Sequence, residues 1–494
     1  MKKKSFSKDL IYAVIVSLII ASFMPSISGN IKELDIASPL QEFGKNGILD
    51  LAIASLSRDY ICVIYGDGNG GFGNRRDFQI ETYSHGIASD DFNKDGLPDL
   101  AVTNSDSDNI SILLGDGIGG FLSRREYRVG EVPINIAVND FNKDNNLDLA
   151  VTNGESDDVS ILFGDGNGVF GDPQDYPVGD NPSDVVAGDF NNDTNVDLAI
   201  ANFWDNSFSV LLGDGTGGFG ERRDYSVFCT PVDILARDFN NDTNLDLVIT
   251  NYDSNYITVH LGNGTGIFEN YQTYHAGSDP HHVVAGDFNK DNILDLAVTN
   301  HEYNTVSALL GDGYGGFGNR EPFSVGTHPG GMVAGDFNND TNVDLAIANF
   351  WDDSISILLG DGDGGFGNRQ DYSVVNSPTN VVTGDFNLNQ PPGTELKIET
   401  RGGFGVHAVI RNTGIADAYD VEWQVNITGG VLGRINKSTD GILDILPPDD
   451  VIVADIPFIF GFGPLEVVAS AKASNAISVS VRRNWFIFLF FVIL

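Results

Sequence analysis

Sulfur is almost missing from this chain. Cys62 and Cys229 are the only cysteines in 494 residues, at unrelated points of the pattern described below, so no disulfide framework holds it together. Basic residues are scarce as well. The chain has 28 Lys and Arg against 69 Asp and Glu, a formal net charge of −41. A surface of that sign repels nucleic acid and anionic membrane, which argues against both as partners. Hydrophobic residues, at 41%, are too many for an acidic disordered polymer, so the excess acid has a place in a fold and cations are its natural partners. No nucleophile elbow, HExxH pair or phosphate-cradling glycine loop occurs, which removes the signatures of the commonest hydrolases and nucleotide enzymes. One long apolar run, at 10–24, follows Lys2, Lys3 and Lys4 and precedes Ser26, Ser28 and Gly29. This is the order of a secretory signal peptide over 1–29; read instead as an uncleaved anchor, it still exports the rest, so the expected location is secreted or cell surface.

What the chain does have is a period of 49 residues. An acidic motif begins at Asp91, Asp140, Asp189, Asp238, Asp287 and Asp336 without slippage, and "GDFNNDTNVDLAIANFWD" occurs identically at 188–205 and 335–352. Degenerate copies begin at Glu42 and Asp385. A second motif, "GDGNGGF" at 66–72 through "GDGDGGF" at 360–366, keeps the same step and recurs seven times. Each unit holds short β-branched and apolar runs, such as "INIAVND", "DLAVTN", "VSILFGD" and "DYPVG" in 134–179, separated by Gly, Asn and Asp turn residues, and no helical period. Four antiparallel strands in each of seven units predict an all-β fold, a seven-bladed β-propeller over 30–390. A β-solenoid competes less well, because its coils are shorter. In the first unit Pro39 stands where an inner strand needs a ladder donor, whereas "NVVTGDF" at 380–386 is a good inner strand with no blade of its own. The ring therefore closes by 380–386 completing a first blade whose other strands come from 48–82.

The acidic loops have the donor pattern of a hard cation. In "DFNKDGLPD" the side-chain oxygens of Asp91, Asn93, Asp95 and Asp99 stand at positions one, three, five and nine, and position seven offers a backbone carbonyl. Calcium takes six to eight oxygens, whereas magnesium prefers stricter octahedral geometry and transition metals want His or Cys. Two carboxylates 4 Å apart repel by about 4 kcal/mol at an effective dielectric near 20, so six such gatherings call for a counter-ion.

These motifs resemble the FG-GAP or VCBS repeat β-propellers, which include the propeller head of integrin α subunits. The resemblance rests on "DFNKDGLPDLAV", "DFNNDTNVDLAI" and "LLGDGTGGF" and covers roughly residues 42–390. It implies one structural calcium in each loop, about six in all. The ligands are then Asp91, Asn93, Asp95 and Asp99; Asp140, Asn142, Asp144 and Asp148; and Asp189, Asn191, Asp193 and Asp197. The remaining three sets are Asp238, Asn240, Asp242 and Asp246; Asp287, Asn289, Asp291 and Asp295; and Asp336, Asn338, Asp340 and Asp344. The family usually has Gly at position six, where φ is often positive. Gly96 keeps it, Asn145 and Asn292 tolerate it, and the β-branched Thr194, Thr243 and Thr341 suit it poorly, which predicts weaker sites or another turn there. The degenerate copies lack carboxylates: Glu42, Gly44 and Asn46 precede Asp50, and Asp385, Asn387 and Asn389 precede Gly393. Neither is assigned an ion.

Strand alternation puts the acidic loops and the GDGxGGF turns on one face. The opposite face is rich in rings: Phe203 and Trp204, Tyr252 and Tyr256, His301 and Tyr303, Phe350 and Trp351, with His281, His282 and His328 in the connectors. Of these, Trp204, Tyr252, His301, Tyr303 and Trp351 are the candidate ligand contacts, since exposed rigid rings favour binding sites. His281 and His282, although near His275, should point apart on an extended chain. No catalytic residue or organic cofactor is assigned. After a linker at 389–395, the runs "LKIETRG", "GVHAVIRNTG", "DVEWQVNITGG" and "PLEVVASAKAS" predict a small immunoglobulin-like β-sandwich over 391–494 with Trp423 in its core. The apolar tail from Trp485 is too short to span a bilayer and reads best as a final strand, with membrane or envelope attachment and oligomeric state left open. The whole reads as an exported calcium-binding module for an extracellular glycan or protein ligand; the alternatives are a carbohydrate-active enzyme using the aromatic face and a structural cell-envelope component.

Overall fold

The computed structural model describes residues 47–387, except 57, 58, 82 and 270, and the strands of 396–493 without the loops between them. The expected signal peptide at 1–29, Pro39, the Glu42 copy up to Asn46, Asn389, Gly393 and the side chain of Trp423 lie outside the described residues.

Seven four-stranded antiparallel sheets make up the repeat region, one for each predicted blade. Blade 3 is typical. Its inner strand Pro133–Asn139 is followed by Asp148–Asn153, Asp158–Leu162 and the outer strand Gln174–Pro177. The second and third strands are buried along almost their whole length, and the outer strand is largely exposed. That explains why "DLAVTN" and "DVSIL" do not alternate: both faces of a blade are covered by its neighbours, so an apolar side chain is favoured on either side. The cores accordingly lie between blades. Leu149 and Val151 of blade 3 pack with Ala101, Ile110 and Ile112 of blade 2.

The ring closes as the sequence predicts. Pro378–Gly384 pairs antiparallel with Asp50–Ser55, in register Leu51 to Thr383 and Ile53 to Val381, and the sheet continues through Tyr60–Gly66 and Phe72–Gln79. A belt of edge-to-face phenylalanine pairs runs through all seven blade interfaces. Each pair joins the Phe of one acidic loop to the Phe of the next blade's glycine turn, as in Phe92–Phe170 at 5.6 Å and Phe288–Phe366 at 5.4 Å. Phe337–Phe72 and Phe386–Phe121 carry it across the closure. Such geometry adds about 0.5–1.5 kcal/mol per pair beyond burial, which gives the glycine-turn phenylalanine its purpose.

Beyond the propeller, Leu396–Gly402, Gly405–Asn412 and Val451–Pro457 form one antiparallel sheet. Ile435–Leu446, Ala418–Gly429, Gly461–Ala473, Ala476–Leu489 and Phe491–Ile493 form another. All four runs read as strands are strands, and the apolar tail is strand as well. Among the described residues no helix is long and apolar enough to cross a membrane.

Candidate functional site

The two faces of the propeller carry different chemistry. On one, the six acidic loops fold identically. In the first, the Asp95 N–H donates to Asp91 Oδ1 and Asn93 Oδ1, the Gly96 N–H to Asp91 Oδ2 and the Leu97 N–H to Asp95 Oδ1. Positions one, three and five are thereby drawn around one centre. The ninth carboxylate is buried and joins the strands: Asp99 accepts from Phe92 N–H and Gly115 N–H. Burial first, and then the carboxylates at positions five and one, push the Asp99 carboxyl up to about 7. The same causes push Asp148 up to about 6. The donor set is all oxygen, and each oxygen keeps a second lone pair, which suits a hard cation.

The threonine loops do not use another turn. Thr194, Thr243 and Thr341 adopt φ of 72°, 73° and 70°, beside 81° at Gly96, and their N–H groups make the same bond to the position-one carboxylate. The repeat imposes the left-handed conformation even on β-branched residues, at a cost of about 1–3 kcal/mol each. At two of the three the hydroxyl also ties blades together, accepting from the position-four lysine of the preceding loop: Lys143 to Thr194 at 3.1 Å and Lys290 to Thr341 at 3.0 Å.

The described ends of the two degenerate copies meet where the ring closes. Asp385 and Asn387 leave the closing inner strand as positions one and three, and Asp50 opens the next strand as position nine. Asp50 accepts from Phe386 N–H at 3.0 Å and Gly66 N–H at 2.9 Å, the pattern of Asp99, and also from Asn387 N–H at 3.2 Å.

On the opposite face lies the channel mouth, with a cavity of about 370 Å³. Phe203, His281, His282, His301, Phe350 and Trp351 are among its lining residues. Two of the five predicted ligand contacts, His301 and Trp351, line it, and a third, Tyr252, reaches it through His301. Tyr252 Oη is 3.2 Å from His301 Nδ1, His301 packs edge-on against His328, and His328 stacks on Trp351 at 3.8 Å. Trp204 rests on Phe203, which lines the cavity, while Tyr303 stands apart. Trp204, Tyr303 and Trp351 are 63%, 60% and 65% exposed.

His281 and His282 both line the cavity, against the expectation that neighbours on a strand diverge. The register slips between Pro280 and Val283, so two residues oppose one and both turn inward. Burial pushes His281 down to about 3 and His282 down to about 4, so both imidazoles are neutral near pH 7. The same bulge in blades 4 and 5 turns Asp184 and Asp233 into the channel, where they are 5% and 7% exposed. They hydrogen-bond each other, and they clamp neighbouring inner strands: Ile234 N–H donates to Asp184 Oδ2 and Val283 N–H to Asp233 Oδ2. Sequence reading missed this pair, although 86, 135, 184, 233, 282, 331 and 380 are one column of the 49-residue repeat.

Burial raises both carboxyl groups, so the folded state holds protons more tightly than the unfolded one. Their contribution to stability is complete below the unfolded carboxylate range, about pH 4, and is lost as pH rises through the folded values. Asn occupies the same column at 135 and 380. Asp233→Asn is therefore expected to stabilise the chain at pH 8 by about 1–3 kcal/mol, a gain that shrinks toward pH 4. Urea midpoints at both pH values in saturating calcium check this; a pH-independent difference means that the pair shares no proton.

The FG-GAP-like repeat family matches residues 91–151, 140–200 and 238–298. Each match starts at position one of an acidic loop and runs into the next blade, so those stretches carry FG-GAP-like repeats, and they lie on the ring of a seven-bladed β-propeller. No curated protein matches it in sequence. Similar solved structures include a proposed 6-phosphogluconolactonase of Bacteroides uniformis, at 14% identity and TM-score 0.54, covering 68% of this chain and 99% of that one. A periplasmic gluconolactonase of Pseudomonas aeruginosa gives 16% identity and TM-score 0.54, covering 68% and 98%. At such identities the likeness is one of fold.

Proposed function

We infer that the protein is an exported, calcium-stabilised propeller that binds a glycan or protein ligand at the aromatic mouth of its channel. The observation that carries this reading is the cavity of about 370 Å³ lined by Trp351 and Phe203, with Trp204 exposed against Phe203. The volume suits a small sugar, and open ring faces suit stacking on it. Calcium is assigned a structural role because the six loops lie on the face away from that cavity; when bound, it supplies the positive charge that the gathered carboxylates lack. Each loop offers it side-chain oxygens from positions one, three, five and nine.

A hydrolytic reading has one specific observation in its favour: Asp233 Oδ2 and His282 Nδ1, 3.8 Å apart, reach the same cavity. The gluconolactonases among the similar folds belong with it, as likeness of scaffold. A glycan array on the intact chain and on Trp204→Ala/Trp351→Ala separates the readings. Binding of at least one glycan, weakened about tenfold or more in the double variant, is the expected result. Turnover of a bound glycan favours the enzyme, and binding unchanged by the substitutions removes the aromatic site.

A further inference from the structure

The histidines of this chain are not scattered. Of eight in the sequence, His85, His281, His282 and His301 line the channel cavity, and His328 adjoins it through Trp351 and His301. The internal repeat shows how local this is. The column of His301 holds Leu56, Ser105, Gly154, Phe203, Tyr252 and Phe350 in the other blades. The column of His328 holds Tyr83, Val132, Asn181, Thr230, Asp279 and Ser377. Two imidazoles and a carboxylate therefore coincide where the turn of blade 6 meets the connector into blade 7.

His301, Glu302 and His328 are, among the described residues, the one group of three His, Cys or carboxylate side chains whose ligand atoms all lie within 4.8 Å of one another. The acidic loops do not draw theirs that close. His328 Nε2 lies 3.8 Å from Glu302 Oε1. Tyr252 Oη occupies His301 Nδ1 and leaves Nε2 as its remaining donor atom, which is how an outer partner orients a metal-binding imidazole. Stacking on Trp351 fixes the His328 ring, whose Nδ1 is buried with no hydrogen-bond partner. Donor atoms around a tetrahedral ion stand about 3.3 Å apart, so a small swing of Glu302, whose side chain is 55% exposed, closes the set.

We propose that His301, Glu302 and His328 bind one zinc-class divalent ion at the channel mouth, a site separate from the oxygen-only loops of the opposite face. Two nitrogens and one carboxylate suit zinc, and its fourth position opens toward the cavity. The site shares His301, Tyr252 and Trp351 with the candidate ligand contacts but does not depend on glycan binding, since the ion is read directly.

The test is a zinc titration of the full chain held in saturating calcium, by competition with a chromophoric chelator. A cobalt(II) titration adds a ligand-field spectrum. One site of micromolar affinity or tighter is expected. His301→Ala/His328→Ala should weaken it at least 100-fold and abolish the cobalt bands, and His275→Ala should change neither. Because the double variant loses ring packing, Glu302→Ala, which removes an exposed side chain, gives a second reading with an expected weakening of about tenfold. Absence of a stoichiometric site, or a site that survives both variants, overturns the proposal.

Discussion

Chelation of calcium is expected to lower the melting temperature of residues 30–494 by on the order of 15 °C or more, with calcium but not magnesium restoring it. The size follows from linkage. A site held at a hundred times its dissociation constant contributes about 2.7 kcal/mol, and six of them together exceed the net stability of most domains. The loops also show what would otherwise oppose folding. Asp99, Asp148, Asp197, Asp246, Asp295 and Asp344 all have raised carboxyl pKa values, with burial the largest cause and the carboxylates at positions five and one adding to it. Thermal unfolding in millimolar calcium, in magnesium alone and with chelator decides the matter. If chelation changes nothing, the loops are turns satisfied by their own N–H groups, as in Asp95 N–H to Asp91 and Asn93, and the ion assignments fall.

The second large effect belongs to a single carboxylate. Asp50→Ala strips the acceptor from Gly66, Phe386 and Asn387 N–H at once. At about 1–3 kcal/mol for each of the three lost acceptor contacts, the loss comes to roughly 3–9 kcal/mol. Asp148→Ala is the control, because Asp148 accepts from Phe141 and Gly164, both within blade 3. Only the Asp50 variant should open the ring, seen as protease cleavage near 378–387 under conditions where the Asp148 variant stays intact. Equal resistance of the two variants means that strand pairing alone keeps the ring shut.

Much of this was legible because a 49-residue repeat aligns the chain with itself. Blade number, strand order and the closing role of 380–386 all follow from counting good inner strands and finding the first blade short of one. The misses have local causes. The Asp50 bridge across the closure could not be seen because its partners Phe386 and Asn387 lie at the other end of the repeat region. Thr194 was judged by its own preference, whereas the loop's hydrogen bonds dictate its φ. His281 and His282 were judged by ideal alternation, which the bulge after Pro280 suspends. The His301–His328 contact joins two blades through the turn that Phe350 N–H ties to His328 C=O, a register no single repeat unit reveals. The candidate contacts Tyr252, His301 and Trp351 were found by residue type alone. Of the five, His301 and Trp351 line the cavity, Tyr252 touches it only through His301, and Trp204 and Tyr303 share the type without lining it.

The closing sheet also sets the order of events in time. Phe386 and Asp50 are 336 residues apart in sequence, so the first blade to be synthesised is the last to gain its inner strand. Pairings of such separation form slowly, because loop entropy must be overcome before any contact rewards it. Until then Asp50–Ser55, buried throughout in the closed ring and apolar from Leu51 to Ala54, presents an unpaired edge, the kind of surface that recruits other chains. A chain built this way is safest when it is kept unfolded until all seven inner strands are present together and then closes in one step.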